Sequence, residues 1–176
     1  MRNSIIPVLI GSFVSASALA DTAQGTAALE VTSSAFRNNG AIPSEYTCEG
    51  SEISPPLSWS KVPAGTKSIA LLVVDPDAPN GAFTHWLVTG IPPSTTSLDK
   101  GAALPRGAVA AKNDRNHAGY TGPCPPAGMH HYEFHVYALD IRLPTAMPRA
   151  DFLGALRGHT LATGQLVGTY QKQRGR

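Results

Sequence analysis

The segment that most constrains the fold is an eight-residue apolar run, Ser68–Asp75 (SIALLVVD), with large aliphatic side chains at both its odd and its even positions. Successive side chains of a strand point to opposite sides. A strand of this composition therefore has two buried faces and lies inside a sheet that is covered on both sides. Pro76 ends the run, because proline lacks the N–H that would continue the ladder. The sequence thus predicts a central β-strand between two packing layers.

Two further segments are predicted as strands: His85–Ile91, which ends at Pro92, and His130–Asp140, which ends near Pro144. The 17 glycines and 15 prolines among 176 residues, with only 15% charged residues, exclude a long coiled coil. A net charge of +2 and the lack of low-complexity tracts argue against disorder. The composition predicts short strands joined by structured turns.

The C-terminal part of the chain is predicted to hold an amphipathic helix within Pro148–Tyr170, which Gly158 and Gly164 break or bend. Its apolar side chains are those of Phe152, Leu153, Leu156, Leu161, Leu166 and Val167. Residues 94–129 show little periodicity and are predicted as a long loop, and a loop of this length in a compact domain is usually functional.

The N-terminal segment Met1–Ala20 has the composition of a secretory signal peptide. Arg2 supplies a positive start, Ile5–Ala18 is apolar and uncharged, and small residues precede the predicted cut after Ala20. A membrane anchor or a buried helix would be the alternative, but the apolar run is short for a bilayer span. The prediction is a periplasmic or secreted protein.

Behind this segment, residues 21–28 are predicted to be a flexible N-terminus and residues 29–176 a single domain. No second apolar stretch is long enough to predict an integral membrane span. No basic run of five or more residues exists, so nucleic acid is not an expected partner.

Cys48 and Cys124 are the two cysteines of the chain. Two cysteines in one exported domain predict a disulfide. It would close a loop of about 77 residues and, in the chain-entropy account, stabilise the fold by about 4–5 kcal/mol. Two buried free thiols are the alternative, and a Cys124–His130 nucleophile–base pair is a further one that competes with the disulfide.

Three segments with polar side chains are expected to meet at one end of the predicted sheet. Asp75 ends the central strand, and His85 begins the next. In the third strand, alternation places His130 and Tyr132 on the face that also carries Phe134. Because these strands are short and antiparallel, we expect the four polar side chains to line one pocket.

The residue types in this pocket favour an anionic ligand. Protonated imidazoles and a phenol donate hydrogen bonds, and backbone N–H groups around Gly122 can do so where no side chain blocks the approach. Asp75 can accept a hydrogen bond from a histidine ring and keep that ring oriented. Taken singly, each residue is also explained as a structural histidine or a simple turn.

Other kinds of site fit less well. The G-x-S-x-G motif of serine hydrolases is absent from the sequence. His131, Glu133 and His135 share the other face of the third strand, but no fourth zinc ligand is identifiable, so neither a metal nor a cofactor is predicted. A weak hydrolase with His85 or His130 as general base remains an alternative. Since no activated nucleophile is apparent, a binding protein is favoured over an enzyme.

Several motifs in a fixed order resemble the phosphatidylethanolamine-binding protein family, in its bacterial Raf-kinase-inhibitor-like branch. The similarity extends from Leu29 to Tyr170. Its main motifs are Asp75–Pro79 (DPDAP), Thr84–Trp86 (THW) and Gly119–Phe134 (GYTGPCPPAGMHHYEF). Supporting matches are Tyr46–Gly50, Ile53–Trp59, Val62–Thr66, Gly158–His159 and Gly168–Tyr170.

This resemblance implies a mainly β fold of two packed, largely antiparallel sheets with a few peripheral helices, including one near the C-terminus. It implies a pocket for phosphate-type anions or phosphoethanolamine-like phospholipid head groups. The ligand-binding residues would be Asp75, Asp77, His85, Gly122, His130 and Tyr132. The residues that shape the pocket would be Pro79, Trp86 and Pro123.

The resemblance carries three further expectations. Cis peptide bonds are frequent near this pocket in the family. Some bacterial relatives are homodimers. Eukaryotic relatives inhibit kinases or proteases, which makes inhibition of a protease or kinase through surface loops the alternative function. An exported chain has no obvious Raf-like kinase partner, so the name of the branch is not taken as the function.

Overall fold

The computed structural model describes residues 27–143 and 145–173. Residues 1–26, which contain the predicted signal peptide and most of the predicted flexible start, lie outside the described part. The elements within it are β1 (Ala27–Ala28), β2 (Glu30–Thr32), β3 (Gly40–Ala41), a 3₁₀ turn (Ser44–Tyr46), β4 (Leu57–Ser60), β5 (Ser68–Asp75), β6 (Phe83–Ile91), β7 (Ser97–Leu98), β8 (Val109–Ala110), β9 (Met129–Leu139), α1 (Arg149–Ala155) and β10 (Thr160–Gln171). Ala27 and Ala28 thus form a strand at the end of the segment predicted to be flexible.

The strands form two sheets. The larger has the order β1-β10-β9-β5-β6-β8, with β3 also paired to β10, and the smaller has the order β2-β4-β7. β1 and β3 run parallel to β10, and the other neighbours are antiparallel. The mainly β, largely antiparallel fold with two sheets, few helices and a helix near the C-terminus is therefore confirmed.

β5 lies between β6 and β9, and each of its eight residues is buried. On one face, Leu71 and Val73 join a core that also contains Trp59 of the smaller sheet. On the other face, Leu72 joins a second core that contains Phe152 of α1. Complete burial of one such side chain contributes about 1.5–3 kcal/mol. The prediction of a central strand covered on both sides is confirmed.

The C-terminal part differs from the predicted helix over Pro148–Tyr170. α1 ends at Ala155, and Gly158, at φ +76°, lies in the turn that leads to β10. β10 then pairs with β9 along almost its whole length. The apolar side chains assigned to one helix are thus divided between a short helix and a strand, and Leu153 is 44% exposed.

The strand period of β10 is hidden in the sequence because glycines occupy two positions on its inward side. Ala162, Leu166 and Tyr170 are buried there, with Gly164 and Gly168 between them. A β-carbon at Gly164 would lie 2.5 Å from the carbonyl oxygen of Leu29, and one at Gly168 would lie 2.5 Å from the side chain of Ile42. Close packing against the N-terminal segment therefore requires glycine where alternation would place a large residue.

Three other findings concern the remaining expectations. The segment predicted as a long loop, 94–129, contains the two-residue strands β7 and β8. The peptide bonds of the described residues are all trans, so the expected cis bond near the pocket is not found there. Among the described residues, no helix has both the length and the apolar character needed to cross a bilayer.

Candidate functional site

A cavity of about 180 Å³ opens where β5 ends and where β6 and β9 begin. Four of the residues selected from the sequence line it: Asp75, Pro79, His85 and His130. Its other lining residues are Ala78, Phe83, Arg115, Cys124, Pro125 and Pro126. Three prolines in the wall restrict the backbone, so the cavity has a stiff outline.

The centre of the site is a buried, hydrogen-bonded pair of side chains, Asp75 and His130. Asp75 is 4% exposed and His130 is 7% exposed. His130 Nδ1 lies 2.7 Å from Asp75 Oδ2, and Asp75 Oδ1 accepts the N–H of Asp77 at 2.9 Å. A carboxylate only accepts, so His130 Nδ1 carries the proton. The ring is thereby oriented with Nε2 as its remaining polar atom.

His85 reaches the same cavity through an irregularity in the sheet. Val73 pairs with Trp86 and Val74 pairs with Thr84, so His85 is an extra residue in the register. A bulge of this kind re-aims side chains relative to simple alternation. It allows His85 to contact the ring of Tyr132, with 5.1 Å between the centroids, while Trp86 stays in the core.

The protonation of His85 differs from the expected imidazolium. Its Nδ1 lies 2.8 Å from the carbonyl oxygen of Thr121, which can only accept, so Nδ1 is protonated. Burial lowers the pKa of His85 below its ordinary value, against the opposing effect of the Thr121 carbonyl. The neutral ring is therefore favoured, and its Nε2 is an acceptor rather than a donor.

Tyr132 lies beneath the cavity and is not part of its lining. The residue is 1% exposed, and its hydroxyl has no hydrogen-bond partner within the described residues. Burial, and secondarily the carboxylate of Asp75, raise the pKa of the phenol. Tyr132 is consequently a neutral donor that stacks edge-on against His85.

Asp77 is placed outside the cavity. Its Oδ2 accepts hydrogen bonds from the backbone N–H of His131 at 2.8 Å and from His131 Nδ1 at 2.7 Å. These bonds lower the pKa of Asp77. Because Asp77 and His131 are both exposed, this second pair lies in solvent next to the buried one.

Gly122, Pro123 and Trp86 are also absent from the lining. The N–H of Gly122 donates to Glu52 Oε1 at 3.1 Å, so it is not available to an anion. Close packing explains the glycine, because a β-carbon there would lie 2.8 Å from Thr47 Cα. Pro123 accepts the N–H of Cys48 through its carbonyl at 3.1 Å. Trp86 packs edge-on against the ring of Tyr120.

The predicted disulfide between Cys48 and Cys124 is present, with 5.4 Å between the Cα atoms. Cys124 also lines the cavity, so the bridge ties the proline-rich wall to the segment after the 3₁₀ turn. Both sulfur atoms are used in the bridge. The alternative of a Cys124 thiolate activated by His130 is therefore wrong for this structure.

Arg115 is the functional candidate that sequence reasoning missed. It is exposed and lies at the edge of the cavity, on a turn built around buried Asn113. Asn113 Oδ1 accepts the N–H groups of Arg115 and His117, and its Nδ2 donates to the carbonyl of Gly119. The run Asn113–Asn116 (NDRN) is a turn signal that could have drawn attention to it.

The lining supplies a fixed cation from Arg115, one imidazole from His130 that is held by a carboxylate, and one neutral imidazole from His85. This set can bind an anion that also carries a proton. Within the described part of the chain, no three His, Cys, Asp or Glu side chains are grouped for a metal ion. His131 is paired with Asp77, and His135 with Glu133, rather than with each other.

Comparison with known proteins gives a consistent result. The family described as phosphatidylethanolamine-binding protein matches residues 32–171. A UPF0098 protein of Methanothermobacter thermautotrophicus is 46% identical over 144 residues, covering 78% of this chain and 95% of that protein. A UPF0098 protein of Chlamydia muridarum is 42% identical over 151 residues, covering 82% and 99%.

Two solved structures are similar as well. The crystal structure of CT736 from Chlamydia trachomatis, described as a homologue of phosphatidylethanolamine-binding protein, has a TM-score of 0.78 and 41% identity, with 83% of this chain and 99% of that one covered. The structure of Escherichia coli YbcL, described as a new member of the mammalian PEBP family, has a TM-score of 0.76 and 36% identity over 84% and 100%.

Proposed function

Because the chain belongs to the phosphatidylethanolamine-binding protein family, we propose that it is an exported binding protein whose cavity holds a phosphate-type anion, such as a phosphoethanolamine-like head group. The observation that carries this proposal is the combination of Arg115 with the buried Asp75–His130 pair around one small cavity. Arginine is always charged and matches the geometry of phosphate oxygens.

The size of the cavity limits the ligand. Sites for drug-sized molecules usually measure about 300–1,000 Å³. The cavity beside His130 measures about 180 Å³, which admits a phosphate ester with a small substituent. The acyl chains of a phospholipid would remain outside the wall of Pro125 and Pro126.

The two histidines divide the recognition of such a ligand. The ring of His130, protonated at Nδ1 toward Asp75, donates from Nε2 to a phosphate oxygen when it carries its second proton. The neutral ring of His85 accepts at Nε2. The monoanion of a phosphate monoester offers both an acceptor and a donor. Because its second pKa is about 6, this form predominates below that pH and is the minor form at pH 7.

We expect no turnover from this site. Among the described residues, the lining has no serine or threonine to act as a nucleophile, and its one cysteine, Cys124, is bridged to Cys48. The alternative hydrolase would use His85 Nε2 as a general base for water. Steady hydrolysis of a phosphomonoester that is lost in His85→Ala would contradict the binding role.

Calorimetry with inorganic phosphate, phosphoethanolamine and ethanolamine tests the proposal. His130→Ala should weaken phosphate and phosphoethanolamine binding by about 10- to 100-fold, the value of a charge-assisted hydrogen bond. Arg115→Ala should weaken both in the same direction.

The matched control is His131→Ala, which removes the neighbouring exposed histidine from the opposite face of β9. It should leave the affinity unchanged. Equal affinities of the His130 and His131 variants would show that the anion binds elsewhere, and binding of ethanolamine alone would show that the phosphate is not recognised.

A further inference from the structure

A second cavity, of about 380 Å³, lies on the helix side of the larger sheet. We propose that it binds a small amphipathic carboxylate, a carboxyl group on a short aliphatic chain. Its lining residues are Thr84, Ala111, Lys112, Asp114, Ala146, Met147, Pro148 and Arg149. This volume falls within the usual range for small-molecule sites.

The floor of the second cavity is apolar. Ala111 is 2% exposed and belongs to the core beneath α1. Met147 packs on the same core, which also contains Leu87 and Phe152. A flexible thioether adapts to chains of varied shape. These surroundings suit the aliphatic part of a ligand rather than a fully polar one.

Two cations come to the cavity from separate segments, Lys112 after β8 and Arg149 at the start of α1. Within the described residues, neither forms an ion pair. The one acid in the lining, Asp114, uses Oδ2 to accept the N–H of Thr84 at 2.7 Å. The lining thus holds two cations against one carboxylate, a net formal charge of +1, which favours a carboxylate ligand over an amine.

Thr84 supplies an independent indication. The residue is 2% exposed, and its Oγ1 has no hydrogen-bond partner among the described residues. Buried hydroxyl groups are usually satisfied, because a buried donor without an acceptor is costly. Thr84 is a lining residue of the cavity, so a carboxylate between the two cations would offer this hydroxyl an acceptor once the side chain turns toward the cavity.

The second site is separate from the anion cavity although the two share backbone segments. Thr84 lines one cavity and His85 the other, and the same division holds for Asp114 and Arg115. The inference does not depend on the proposed function, because none of its residues belongs to the phosphate site.

Titration with hexanoate, followed by ¹⁵N–¹H NMR, tests the proposal. The amides of Ala111, Lys112 and Met147 should shift in a saturable way, whereas hexylammonium should cause no shift there and 1-hexanol should bind more weakly. Lys112→Ala and Arg149→Ala should each weaken hexanoate binding by about three- to tenfold. Lys67→Ala and Arg37→Ala, which remove exposed cations elsewhere, should leave it unchanged.

The Thr84→Val variant tests whether the Thr84 hydroxyl contacts the ligand or affects only the stability of the fold. It should raise Tm, because an unpaired buried hydroxyl is removed, and it should weaken hexanoate binding by about three- to tenfold. Equal affinity for hexanoate and 1-hexanol, or unchanged affinity in the Lys112 and Arg149 variants, would overturn the proposal. Hexanoate shifts that are confined to His85 and His130, and lost in His130→Ala, would place the carboxylate in the phosphate site instead.

Discussion

Two aspartate–histidine pairs lie side by side at the same end of the larger sheet, with the same separation between ring nitrogen and carboxylate oxygen but opposite surroundings. In each pair the Nδ1–Oδ2 distance is 2.7 Å. The side chains of His130 and Asp75 are 8% and 5% exposed, whereas those of His131 and Asp77 are 48% and 42% exposed. The two histidines are consecutive in β9, so strand alternation alone separates a buried pair from a solvated one.

The difference shows that the hydrogen-bond distance within a pair does not determine how much the pair contributes to the stability of the fold. In solvent, an ion pair contributes about 0–1 kcal/mol, because water screens the charges and competes for them. In the interior, loss of one partner leaves the other without compensation, which costs about 3–5 kcal/mol. The buried pair also faces a cavity, so its remaining ring nitrogen can act on a ligand.

The largest expected effect follows from removing the buried carboxylate. Asp75→Ala should lower the free energy of unfolding by about 3–5 kcal/mol, since His130 Nδ1 and the N–H of Asp77 both lose their acceptor. Urea unfolding at pH 7 measures it. Asp75→Asn, which keeps an acceptor oxygen, should recover part of the loss. A loss from Asp75→Ala no larger than that from Asp77→Ala would refute the contrast between the two pairs.

A smaller effect concerns His85, which is buried like His130 but has a carbonyl partner instead of a carboxylate. Its pKa is lowered by burial, so the unfolded chain binds the proton more readily than the folded one. The neutral ring of His85 thus stabilises the fold fully when the pH is above the ordinary histidine pKa of about 6.5. This stabilisation is lost as the pH falls below that pKa.

Urea unfolding of the native protein between about pH 7.5 and 5 should show this decline, and His85→Gln should show a shallower one. The fluorescence of Tyr132 alone cannot replace the full unfolding curve, because the protein contains several other buried aromatic side chains. Parallel pH profiles for the two proteins would mean that His85 is as readily protonated in the fold as in the unfolded chain.

The smallest effect is expected at the exposed pair. His131 lowers the pKa of Asp77. The carboxylate therefore stabilises the fold when the pH is above the ordinary aspartate pKa near 3.9, and this contribution is lost as the pH falls through the lower pKa of the folded protein. Asp77→Asn should cost less than about 1 kcal/mol at neutral pH. The unfolding curves of the variant and the native protein should converge as the pH falls well below 4 and through the lowered pKa of Asp77. A difference that persists at the acid end of this range would have another cause.

The sequence allowed the three central strands of the larger sheet, β5, β6 and β9, to be predicted, but not β10 or the two-residue strands β1, β3 and β8. The segment Ser68–Asp75 predicted a central strand because apolar residues fill both of its faces. β10 could not be inferred, since Gly164 and Gly168 stand where inward side chains would be expected. Their selection depends on contacts with Leu29 and Ile42, which are far away in the chain.

The part of the site that follows from the alternation of side chains along the strands could be predicted from the sequence. His130 and Tyr132 share a face of β9, and Asp75 ends the adjacent strand, as the sequence indicated. Alternation cannot show that Tyr132 stays beneath the cavity or that Glu52 takes the N–H of Gly122. Arg115 was not predicted as a site residue because it lies on a turn, and strand alternation gives no information about where the side chain of a turn residue lies.

The pairing of β10 has a consequence for the order in which the molecule can be assembled. β1 and β3, near the start of the described chain, both hydrogen-bond to the last strand rather than to each other. Without residues 160–171 these N-terminal strands have no edge on which to form. A chain that lacks β10 would also expose the edge of β9 to pairing with other chains.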